Sequence, residues 1–235
     1  MLALARRSPG HTRLPLPEPV VMAMACRMTA LLGGEAGRNL GLCVVLAHHL
    51  YLRPGELARI RWEWIVPAAE GSPECGRQCS IVLHPSEEMV TSKVGLFDET
   101  LLVDRPELTR VLEEFRRRHH SGALLPVPIR KFNALWRRAA LDLQLDKSIG
   151  IPHPYALRHS GPSADRLHQR RSLDEVKARG RWRADSSVRR YQKGGRSLER
   201  LSALTAGIRR YVLQCEERVW MVLSGRLQPL CSPVV

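Results

Sequence analysis

Apolar residues recur at three- and four-residue intervals through most of the chain, and each such stripe predicts a helix. Val21, Met24, Met28 and Leu31 place one over Glu18–Leu32, which Gly33 and Gly34 should stop. Leu40, Cys43, Val44, Ala47 and Tyr51 predict a second over Arg38–Leu52, with His48 and His49 near its end as cations suited to the helix dipole. Leu108, Val111, Leu112 and Phe115 mark a helix over Pro106–Arg118, whose Arg116–Arg118 suit its C-terminal dipole. Phe132, Leu135, Trp136, Ala139 and Leu143 mark another over Arg130–Leu143, which puts Trp136 in the core rather than on a stacking platform. Leu198, Leu201, Leu204, Ile208, Val212 and Cys215 make the stretch from Ser197 to about Leu223 mostly helical.

Between these helices the period shortens. Trp62–Val66, Ser80–His84 and Phe97–Val103 read as strands, with a loop over Glu70–Gly76 and Lys93 near a hairpin tip beside Gly95. The expected class is therefore α+β, mainly α-helical, with a small antiparallel sheet near the N-terminal side. Residues 1–17 hold three arginines, several prolines and no acid, and read as a flexible leader. The main domain is expected over 18–205, with a C-terminal helical tail over 206–235.

Charge narrows the partner. The 235 residues carry 37 Lys and Arg against 23 Asp and Glu, a net charge of +14, so a polyanion is the natural ligand and nucleic acid the commonest one. No apolar run approaches the ~20 residues that cross a bilayer, and no membrane partner is expected. Cys26 and Cys43 fall on apolar helical faces and read as buried thiols of a reducing compartment. Cys75-x-x-x-Cys79 with His84 beyond it lacks a second pair at ligand spacing, so no metal is assigned.

The stretch from Ile151 to Gly195 carries the candidate chemistry. Arg158, Trp182 and Tyr191 are residues suited to work on a phosphodiester. Ser172-x-x-Glu175 is a capping box that starts a helix at Leu173, and Gly180 should end it as a left-handed residue. Asp185 can cap a short helix, and Val188 and Tyr191 then share a face. Far upstream, Pro54 opens another short helix and leaves Arg53 at a junction, free to point into a cleft. Read alone, Arg53 simply pairs with Glu56.

Taken together, Arg53-Pro-Gly-Glu56-Leu57, Lys93, Arg158, and Trp182 followed nine residues later by Tyr191 resemble the motif block of the tyrosine recombinases, or phage integrases. The likeness spans roughly Glu18 to Leu204. It implies a tyrosine-recombinase-like catalytic domain that cleaves and rejoins duplex DNA through a 3′-phosphotyrosyl intermediate, with no metal, cofactor or ATP. Arg53 and Arg158 would clamp the phosphate, with Glu56 orienting Arg53. Lys93 would be the general acid, Trp182 would donate its indole N–H, and Tyr191 would be the nucleophile. The chain departs from the pattern at Tyr155, which stands where the family has a histidine, and at Pro162, which should kink the helix bearing Arg158. The resemblance further implies site-specific recombination or DNA integration by a mobile-element enzyme. It also implies a homo-oligomer on DNA assembled through the C-terminal helix, and an intracellular location with DNA. The other expectation left open is a catalytically impaired integrase-like protein that binds DNA without cutting it.

Overall fold

The computed structural model describes residues 14–68, 78–89, 98–189 and 193–233. Lys93, Cys75 and Tyr191 lie outside the described residues. Helix α1 (Glu18–Leu32) is buried along most of its length, and α2 (Gly34–His49) packs directly against it. Two small residues on α2 set that approach. A Cβ at Gly37 would stand 2.3 Å from the Thr29 carbonyl oxygen, and one at Gly41 would stand 2.9 Å from the Ala25 carbonyl oxygen. Gly33, at φ +73, ends α1 as its spacing predicts, whereas Gly34 is the first residue of α2. The second helix therefore starts four residues earlier than its apolar stripe suggests.

After α2 the chain turns through the short α3 (Pro54–Leu57) into a three-stranded antiparallel sheet ordered β1 (Ile65–Val66), β2 (Cys79–Leu83), β3 (Glu99–Val103). Ile65 faces Ile81, and Ile81 faces Leu101, so the buried side of the sheet is a ladder of branched residues. The opposite side leaves Val66 and Leu102 exposed. The strand expected over Trp62–Val66 is mostly a 3₁₀ turn, Trp62–Trp64, because Trp62 stacks on Phe115 and His119 instead of joining the ladder. Cys79 is a buried thiol of β2, which burial pushes up to about 11.

Helices α4 (Pro106–Arg116), α5 (Ile129–Asp142) and α6 (Leu145–Ser148) follow. Trp136 on α5 is buried and donates its indole N–H to the Pro152 carbonyl at 2.7 Å, a core role as its stripe predicts. Helix α7 (Ala156–Leu167) carries Arg158 and continues through Pro162 rather than ending there. Then come α8 (Leu173–Gly180), α9 (Asp185–Arg189), α10 (Gly194–Ser202) and α11 (Ala206–Leu223). The stretch from Ser197 to Leu223 is thus two helices, the second started by Thr205, whose hydroxyl accepts from the Ile208 N–H. The stripe of α11, from Ile208 through Val212 and Cys215 to Val222, packs on the chain's own α1 and joins the main core. This face, which the family likeness offered to a neighbouring protomer, is used within the chain.

His48 and His49 depart from expectation. Both are buried, and burial holds each below its ordinary value, so at pH 7 they are neutral rather than the dipole-complementing cations their position suggests. The end of α2 is closed by α7: a Cβ at Gly161 would lie 2.0 Å from the His48 carbonyl oxygen and 2.5 Å from the Tyr51 ring. Gly161→Ala should therefore cost about 2 kcal/mol or more, read as a lower urea midpoint with unchanged slope. A variant as stable as the parent would contradict this close approach.

Candidate functional site

Arg53 and Glu56 form the first corner. The Arg53 backbone leaves α2 extended, at φ −74 and ψ 148, and Pro54 starts α3 at once. Three residues on, Glu56 folds back: its Oε2 accepts from the Arg53 backbone N–H at 2.7 Å, and its Oε1 accepts from Arg53 Nη1 at 2.5 Å. The local geometry satisfies a free helix-end N–H and fixes the guanidinium in one step. Glu56 is 5% exposed, and the Arg53 side chain is 26% exposed, so the carboxylate lies behind and the guanidinium in front.

Arg158 forms the second corner, brought in by α7 from more than a hundred residues away. It is 1% exposed. Nη1 donates to the Tyr51 carbonyl, Nη2 donates to the Gly180 carbonyl at 2.7 Å, and Nη1 stands 3.9 Å from Glu56 Oε2. Burial lowers its pKa, and the positive field of Arg53 lowers it further, as expected of two guanidinia that share a site. Tyr51 presents its carbonyl because it adopts a left-handed turn, φ 51, where α2 ends. Its role goes beyond the inward-facing helix position predicted for it.

Trp182 closes over this group. The Arg158 guanidinium lies 5.0 Å from the Trp182 ring centre, and the Tyr51 and Trp182 rings stack at 6.1 Å with planes 18° apart. A Cβ at Gly180 would fall 1.9 Å from the Trp182 ring. Gly180 is thus the last helical residue, small because the indole folds back on it, and the left-handed conformation expected there falls on Arg181 instead, at φ 55. The capping box that starts α8 is present as predicted, with Glu175 N–H to Ser172 Oγ at 3.2 Å and Ser172 N–H to Glu175 Oε2 at 2.6 Å. On α9, Val188 is buried with Tyr51 and Val176, against which Trp182 and Leu173 also pack. The described chain is therefore anchored to this cluster up to the turn before Tyr191. Tyr155 is half-buried at the start of α7, its ring 5.4 Å from that of His159.

The residue that the sequence reading missed is Arg181. Its side chain is 9% exposed, and Nη2 donates to Glu56 Oε2 at 2.6 Å. Its Nε stands 3.7 Å from Glu99 Oε2 on β3. A guanidinium on a non-glycine left-handed residue gives no periodic signal; the only mark in the sequence is the run Arg179-Gly180-Arg181-Trp182. Three arginines from three separate stretches therefore share one carboxylate. Burial pushes Glu56 up, but Arg181 first, then the Arg53 N–H, Arg158 and Arg53 outweigh it and hold the carboxyl below its ordinary value. Compared with known proteins, the chain matches no family model and no curated protein sequence.

A second ionic cluster lies beneath. Tyr51 Oη donates to Asp165, which also pairs with Arg171, and Asp104 links Arg171 to Arg179. Further on, Glu18 pairs with Arg105 at 2.8 Å and Arg170 at 2.7 Å. Glu18, His48 and His49 bring ligand-type atoms within 4.8 Å of one another, but Arg105 Nη1, 2.9 Å from His49 Nε2, already fills the cationic position. Burial works to raise the Glu18 carboxyl, yet His48, Arg105 and Arg170 hold it at about 2.

The folded value of Glu18 lies below its ordinary 4.5, so ionised Glu18 stabilises the fold fully above about pH 4.5, and the contribution is lost as the pH falls toward 2. Its size is roughly 3 kcal/mol. Urea unfolding at pH 6 and pH 3 should show a loss that Glu18→Gln reduces. An identical pH dependence in the two proteins would contradict the pairing.

Proposed function

We propose that this chain cuts and rejoins duplex DNA through a transient tyrosyl ester at Tyr191. The observation that carries the reading is that Arg53 and Arg158, more than a hundred residues apart, meet at the buried Glu56 carboxylate, with Trp182 packed over the Arg158 guanidinium. Nothing in helix periodicity requires those four residues to meet. A phosphodiester resists attack because it is negative, and a pair of guanidinium forks can stabilise the charge that builds on its nonbridging oxygens without a metal. The net charge of +14 supports the same substrate.

In this reading Arg53 is the fork that meets the phosphate first. Arg158 is held behind it by two carbonyls, each of which takes one N–H and leaves others for the phosphate. The site must open for the phosphate to reach Arg158. The Tyr191 phenol gives up its proton to water, a loss that nearby arginines would favour, and its oxygen attacks phosphorus. The bond from phosphorus to the 5′ oxygen breaks, a 3′-phosphotyrosyl ester forms, and Lys93 supplies the proton that the departing 5′ hydroxyl needs. Attack by a 5′ hydroxyl reverses the step, restores the phenol and needs no ATP. Trp182 packs the segment before Tyr191 and supplies an indole N–H. Tyr155 can donate a hydrogen bond where a histidine would also accept a proton. Recombination between DNA sites, by an oligomer on DNA inside the cell, is the corresponding biological role.

A second reading, a DNA-binding protein that clamps phosphate without cutting, is favoured by one observation. Arg158 is 1% exposed, with both terminal nitrogens already bonded to carbonyls. A nicked suicide duplex separates the two. The native chain should accumulate as a covalent DNA adduct, and Tyr191→Phe should abolish it. Persistence of the adduct in Tyr191→Phe would overturn the assignment, and absence of any adduct with the native chain would leave the non-cutting reading in its place.

A further inference from the structure

We infer that Arg181 is a positioning residue whose task is to occupy Glu56, so that Arg158 keeps its charge and its free N–H groups for an incoming phosphate. The inference rests on the phosphate-clamp part of the reading above and goes beyond it, because that reading gives Arg181 no role. Glu56 is 5% exposed and has two buried oxygens to satisfy. Oε1 is taken by Arg53 at 2.5 Å. Oε2 is taken by the Arg53 N–H at 2.7 Å and by Arg181 Nη2 at 2.6 Å, while Arg158 Nη1 stands off at 3.9 Å.

Removing Arg181 leaves Oε2 short of a charged donor in a buried place, and the nearest cation not already bonded to Glu56 is Arg158, at 3.9 Å. A carboxylate in that position turns to the guanidinium and forms a tight ion pair. The pair neutralises Arg158 and consumes the N–H groups that a phosphate needs. The placement of Arg181 is consistent with a dedicated role. Its backbone is left-handed at φ 55, a conformation that a side chain disfavours, and its guanidinium is turned inward between Glu56 and Glu99 rather than out to solvent. Glu99 on β3 stands 3.7 Å from Arg181 Nε, so the sheet helps to aim it. The αL turn that ends α8 and the edge of the sheet thereby jointly keep Glu56 from pairing tightly with Arg158.

The test uses inorganic phosphate as the probe and the full chain, so it is independent of cleavage. Millimolar phosphate, compared with chloride at equal ionic strength, should raise the thermal midpoint of the native chain, and Arg158→Lys should weaken that response. Arg181→Ala should lower apparent phosphate affinity by about tenfold or more. The decisive variant is Arg181→Ala with Glu56→Gln: a neutral amide cannot capture Arg158, so phosphate affinity should recover at least in part. A purely structural Arg181 predicts that the double variant is worse than the single one. Should Arg181→Ala fail to fold, Arg181→Gln with and without Glu56→Gln carries the same comparison. Full phosphate response in the Arg181 single variant, or no recovery in the double variant, overturns the inference. A phosphate response that follows this pattern in a chain that never becomes trapped on DNA would remove the recombinase reading and leave this one standing. A native chain with no phosphate response refutes both the insulating role and the clamp on which it rests.

Discussion

Arg53, Arg158 and Arg181 would repel one another if brought together alone. Two unit charges about 4 Å apart cost about 4 kcal/mol even at the effective dielectric of a protein surface. Glu56 makes the assembly possible by placing one negative charge at the centre of three positive ones. Its side chain is anchored at the first turn of α3 by the Arg53 N–H, and Arg181 holds the same oxygen from the other side. The result is a buried group with a net excess of positive charge, half-open at Arg53 and closed at Arg158. With Glu99 beside Arg181, two carboxylates face three guanidinium groups, and the positive charge left over is the basis of the proposed phosphate clamp.

The rest of the fold reads as support for that arrangement. Helix α7 can present Arg158 beside Tyr51 only because Gly161 lets it cross the end of α2 at backbone contact. Gly180 lets the Trp182 ring fold back over the guanidinium. Tyr51 links the two ionic layers: its carbonyl holds Arg158, and its hydroxyl donates to Asp165 in the arginine–aspartate ladder beneath. A shift in that ladder would move the Tyr51 carbonyl and, with it, the fork.

Much of this was legible in the sequence. Each of the helices over Glu18–Leu32, Pro106–Arg118 and Arg130–Leu143 buries an uninterrupted apolar stripe, and periodicity finds such stripes within a residue or two. The Ser172–Glu175 box was legible because capping is a local reaction between neighbours. What failed to show depended on long-range contacts. Trp62 has strand-like neighbours, yet its stacking on Phe115 and His119 turns the backbone into a 3₁₀ turn. His48 and His49 look like helix-end cations, and only the helices that cover them make them neutral. Gly180 was expected for its backbone freedom but is needed for its lack of a side chain, a distinction that requires knowing where Trp182 lies. Arg181 left only the run Arg179-Gly180-Arg181-Trp182, because an ion pair between residues 56 and 181 has no period.

The most direct measurement is a crystal structure of the chain bound to a nicked duplex. The account predicts one backbone phosphate within hydrogen-bonding distance of both Arg53 and Arg158, with Glu56 behind them still bonded to Arg53 and Arg181. A duplex seated on another face, or a phosphate held by Arg53 while Arg158 remains sealed against the Tyr51 and Gly180 carbonyls, would contradict it.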